Sequence, residues 1–110
     1  MLTILAATLA AAAAPATPLT PIQASALRCA VVFARGARMQ ADRAPAAAAW
    51  PDLRSRGREY FVRVTAKLMD ETGADRTGIA ELARQVPLAD DRAVADAMPG
   101  CLPLLAAAGL

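Results

Sequence analysis

Histidine does not occur in this chain of 110 residues, which removes the commonest general base and the commonest metal ligand together. Two cysteines, Cys29 and Cys101, are too few for a zinc site and too far apart for a C-x-x-C redox pair. Serine occurs only as Ser25 and Ser55, neither in a nucleophile-elbow context. The adjacent carboxylates Asp90 and Asp91 stand where a helix begins, a capping position rather than an acid–base pair. The glycines are scattered and build no phosphate loop. No catalytic residue, metal site or cofactor is therefore expected, and the chain reads as a non-enzyme. Its only aromatics are Phe33, Trp50, Tyr60 and Phe61, too few for a base-stacking surface, so no nucleic-acid partner is expected either.

Charge is also missing from the start of the chain. No charged residue precedes Arg28, and Leu2 to Ala14 is small or apolar apart from Thr3 and Thr8. A run of about 13 residues matches a signal-peptide core and falls short of the roughly 20 that a spanning helix needs. Small residues crowd its end, which predicts a leader over residues 1–16 cut after Ala16. A short linker over 17–20, set in a stretch from Pro15 to Pro21 that holds three prolines, and one domain over 21–110 follow, and the mature protein is expected in the periplasm or outside the cell. In that oxidising setting the two cysteines read as one Cys29–Cys101 bridge. It closes a loop of 72 residues, and the chain-entropy account values such a loop at about 4 kcal/mol, as much as a core this small can supply.

What the sequence has in excess is alanine, at 30 positions, and arginine, which makes up 11 of the 12 basic residues with Lys67 the other. Both residue types use GC-rich codons, so the bias points first to the genome. The hydrophobic spacing is helical throughout and predicts an all-α bundle of about four helices. Thr20 caps a first helix from Pro21 to about Ala41, whose stripe is Ile22, Ala26, Cys29, Ala30, Phe33 and Ala37. Residues 44–49 form an alanine-rich connection. Pro51 and Asp52 open a second helix that runs to Thr72 and stops at Gly73, with Leu53, Gly57, Tyr60, Phe61, Val64 and Leu68 on one face. A third helix starts at Asp75 or Thr77 and ends before Pro87, burying Ile79, Leu82, Ala83 and Val86. A short fourth runs from Asp90 to Met98, where Pro99-Gly100 should end it.

The second helix is flanked by Arg56, Arg63 and Lys67 on one side and by Arg54 and Arg58 on the other. Residues 28–67 carry a balance of +6 and residues 68–110 one of −4, so charge is polarised along the chain. The plain account of those cations is that their stems cover apolar surface while their heads stay in water. The functional account makes them a contact for an unknown protein partner or an anionic envelope surface. Trp50 reads as a hydrophobic staple before the second helix and Tyr60 as core.

On Cys29, Cys101 and this helix pattern, the chain resembles small exported two-cysteine helical proteins of GC-rich proteobacteria. More loosely, it is similar to the periplasmic acid-stress chaperones of the HdeA type. The first resemblance is to uncharacterised proteins and implies no function; the arginine-flanked helix face itself reads as that of a binding or interaction module without catalytic activity. The second implies an acid- or envelope-stress holdase, since protonating all 10 carboxylates leaves about +12 on the chain. Failure to suppress client aggregation at about pH 3 would remove the holdase.

Overall fold

The computed structural model describes residues 18–110. The expected leader, 1–16, and the first linker residue lie outside that range. The described residues form four α-helices and no strand, joined by a Cys29–Cys101 disulfide.

Helix α1, Pro21–Ala41, starts where the sequence places it. Pro21 supplies a preset φ at a position whose N–H would be unpaired anyway. Thr20 Oγ1 accepts from the Gln23 N–H at 3.2 Å and Gln23 Oε1 accepts from the Thr20 N–H at 3.0 Å, a complete capping box. At the other end Arg43 stands in the left-handed region at φ 56°. Its N–H donates to Gln40 O, and that of Ala44 to Met39 O. The same double closure ends α4, where Gly109 occupies the equivalent place at φ 75°. Arginine carries a Cβ clash there that glycine lacks. Arg43→Gly should therefore stabilise the protein by about 0.5–1 kcal/mol, read as a higher urea midpoint at constant slope.

The alanine-rich connection contains one 3-10 turn, Pro45–Ala47. Gln40 fixes it to α1: its Nε2 donates to Pro51 O at 2.8 Å and its Oε1 accepts from the Leu53 N–H at 3.0 Å. The second helix opens at Asp52, as expected, but its first turn is a π-turn, Leu53–Gly57, before α2 proper, Arg58–Thr72. That wider turn brings both Leu53 and Gly57 onto α1. Gly73, at φ 73°, ends α2. Asp75 caps α3, Arg76–Arg84, of which only Ile79 is fully buried; Leu82, Ala83 and Val86 are half-buried.

Helix α4 departs from expectation. It is not a short helix ending at Met98 but runs Asp91–Ala107, straight through Pro99, Gly100 and Pro103. An interior proline costs about 3 kcal/mol in a lone helix, by removing a donor and crowding the carbonyl four residues back. Here tertiary packing overrides that preference. Val94, Met98, Cys101 and Leu105 make an uninterrupted buried stripe, and the bridge clamps its middle to α1 with the Cα atoms of Cys29 and Cys101 5.3 Å apart. Both prolines lie on the exposed side, where carbonyls relieved of their N–H partners can meet water.

Helix α1 is central, with α2 and the π-turn on one side and α4 on the other. The main core gathers Val32, Phe33, Leu53, Tyr60, Val94, Met98 and Leu105; a smaller cluster of Leu27, Leu68 and Ile79 holds α3. Ile22, expected in the α1 stripe, is 83% exposed: the first turn of α1 lies beside the last turns of α2, where Gln23 donates to Glu71 at 3.5 Å, and Ile22 borders an open hollow there instead of entering the core. Tyr60 does enter the core, edge-on to Phe33 with ring centroids 5.0 Å apart. Burial lifts its phenol above the ordinary value of 10.0. The fold thus favours the neutral phenol: this contribution is intact below about pH 10 and is lost as pH climbs towards the raised value. As Tyr60 is the only tyrosine, absorbance titration should give a higher midpoint in native than in urea-unfolded protein.

Candidate functional site

The five cations singled out from the sequence do not form one surface. Two of them serve the fold. Arg56 donates to Leu110 O at 2.6 Å and Arg63 to Ala108 O at 3.1 Å, so both cap the carbonyl end of α4. Arg63 also pairs with Glu59 at 3.0 Å, both groups about half-exposed, a contact worth roughly 0.3–0.5 kcal/mol. Lys67, one turn beyond Arg63 on the same flank of α2, sits apart from the α4 end, beside Glu71 and Tyr60.

Arg54 and Arg58 remain, and the fold adds a third cation that the sequence reading left out of the site. Arg38, from α1, borders with them one open hollow of about 350 Å³ between α1 and α2, floored by Ala34, Ala37 and Phe61. Adjacency of Arg38 to α2 depends on how two helices cross and has no signature in either segment. No carboxylate borders the hollow, and none of its three guanidinium groups makes a hydrogen bond or ion pair among the described residues. A planar fork of donors over an apolar floor suits a carboxylate carried on an apolar body. An exposed ion pair gives only about 0.2–1 kcal/mol, so the floor must supply much of any affinity and the arginines the selectivity.

The remaining polar side chains have structural work. Ser55 Oγ donates to Asp52 Oδ2 at 2.9 Å, and the Arg54 N–H donates to Oδ1 at 3.0 Å. The Ser55 hydrogen bond foremost holds the Asp52 carboxyl below its ordinary range. The hydroxyl therefore donates to a helix cap, and the carboxylate that accepts from it is made a weaker base by the same bonds. Glu81 is lowered in the same way, chiefly by its hydrogen bond from Arg84. Asp90 caps α4 by accepting from the Ala93 N–H at 2.9 Å. Trp50, expected as a staple, lies half-buried over Gly36 of α1, beside Arg43 and Arg54. Among the described residues no three His, Cys, Asp or Glu side chains gather closely enough to hold an ion. No helix there is long and apolar enough to cross a membrane.

Fold and surface together define a disulfide-closed four-helix domain with an arginine-rimmed hollow. No protein-family model, no curated protein and no solved structure matches the chain.

Proposed function

We propose that this protein is a small extracytoplasmic interaction module that holds an anionic partner in the hollow between α1 and α2. The observation that carries this reading is the grouping of Arg38, Arg54 and Arg58, from two helices, around an apolar floor with no carboxylate beside it. Like charges brought together repel, Arg54 alone of the three having a carboxylate, Asp52, close enough to act on it, and a bound anion relieves that repulsion. The disulfide supports the compartment, since such bridges persist where the surroundings are oxidising. The interaction reading is preferred to the holdase because no charged side chain among the described residues is buried and both ion pairs are local. Acid would act through net charge and through exposed carboxylate contacts such as those of Asp52 and Glu81, with no buried ion pair to break.

The test is partner recovery from periplasmic extract with the triple variant R38E/R54E/R58E against a control, R28E/R92E, that reverses exposed arginines elsewhere. Recovery should fall about tenfold or more in the triple variant and stay unchanged in the control. Equal recovery from both would remove the proposal. Intact mass of the native protein, with and without reductant, tests the compartment through the cut after Ala16 and the bridge together.

A further inference from the structure

We infer that the partner segment is an acidic amphipathic helix of about four turns, lying lengthwise along α2 from Arg54 to Arg76. This rests on the reading above and extends it to a second part of the surface. The hollow between α1 and α2 shares Phe61 with another, of about 370 Å³, between α2 and α3. The second is the more apolar of the two, floored by Ala66, Met69 and Ile79, with Arg76 on its border and again no carboxylate. Val62 stands in it at 52% exposure, beyond what a core position on α2 would show.

The spacing explains why this face is open. Tyr60, Val64 and Leu68 turn α2 inward to α1. Phe61, Val62, Thr65, Ala66 and Met69 form a second stripe at helical spacing, which only the short α3 partly covers. Thr65 adds no free polar group, since its hydroxyl already donates to Phe61 O at 2.8 Å. From Arg54 to Met69 the stripe is about 20 Å long, the length of a helix of roughly 15 residues. Cations therefore mark both ends of an apolar trough of that length.

Shape and charge together choose the occupant. The apolar atoms lie in a trough between helices rather than on a protruding face, which suits a helix laid in a groove better than a lipid surface. No strand edge exists among the described residues to pair with an extended peptide. Among its described residues a second copy has no spare acidic amphipathic helix to offer. The Asp90, Asp91 and Asp96 carboxylates belong to α4, whose apolar stripe is already committed to α1.

The experiment uses the whole mature chain with its bridge intact. The probe is a labelled synthetic peptide of roughly 16 residues with leucine at helical spacing and glutamate on both flanks; its control has lysine for each glutamate. The glutamate peptide should bind and gain helical circular dichroism, and the lysine peptide should bind at least about 30-fold more weakly. Val62→Asp and Arg76→Glu, both at exposed positions that leave the fold intact, should each weaken binding about tenfold. Equal binding of the two peptides, or none of either, overturns the inference. If Val62→Asp and Arg76→Glu change nothing while R38E/R54E/R58E still abolishes partner recovery, the lengthwise helix is refuted and the hollow stands. Displacement of the peptide by phosphatidylglycerol vesicles, with the same residue dependence, would assign the trough to a membrane instead. Displacement through dimerisation, seen by light scattering, would assign it to a second copy.

Discussion

Reducing the Cys29–Cys101 bridge should lower the melting temperature by roughly 15–30 °C. The bridge spans 72 residues, and constraining a loop of that size in the unfolded chain is worth about 4 kcal/mol. In a domain of this size each kcal/mol moves the midpoint by about 4–8 °C. The effect is large because the domain is small: α4 meets α1 through one buried stripe, Val94, Met98, Cys101 and Leu105, with the bridge itself in that stripe. Both cysteines are nearly inaccessible, at 4% and 1% exposure, so reductant alone should act slowly on native protein and quickly on urea-loosened protein. The urea slope should also rise on reduction, because an uncrosslinked unfolded chain exposes more surface. A loss below about 1 kcal/mol in paired urea titrations would show that α1 and α4 hold together without the crosslink.

Phe33→Ala should cost about 3–5 kcal/mol, the range for deleting a fully buried ring. Phe33 is 0% exposed and lies where α1, α2 and the π-turn meet. Its ring packs edge-on to Tyr60, and a Cβ added at Gly57 would lie only 3.0 Å from the Phe33 Cβ. Because both atoms sit next to backbone, neither can swing away, and Gly57→Ala would have to push the two helices apart. The site is thus closed to a larger residue on one helix and to a smaller one on the other. Against a typical total of about 5–15 kcal/mol, Phe33→Ala should survive only with the bridge oxidised. Urea denaturation of Phe33→Ala with and without reductant measures this, and a loss below about 1 kcal/mol would contradict the packing described.

Much of the architecture could be read from short-range chemistry. Thr20 before Pro21, Gly73 after Thr72, Asp75 and Asp90 each act within a few residues of where they stand, and each marks its boundary correctly. The failures are where distant residues decide. Pro99-Gly100 is a local stop signal, yet the stripe from Val94 to Leu105 and the bridge carry α4 through it. The π-turn uses residues that an ordinary helical turn would accept equally well, so nothing in Leu53–Gly57 announces it. Helix α2's flanking cations were legible as a group, but their division was not. Arg56 and Arg63 turn to the end of α4, and Arg38 joins Arg54 and Arg58 from another helix, both consequences of how the helices cross. Val62 shows the same limit, since its exposure depends on how little of α2 the short α3 covers.

The position of the bridge has a bearing on survival among proteases. All three interhelical connections lie between Cys29 and Cys101, including the exposed arginine at position 43. A single cut in any of them leaves both pieces tethered through sulfur, each still packed on the other. A nicked molecule would migrate as one band until its sulfurs were separated, and it could keep its partner-facing surface after its backbone had been severed.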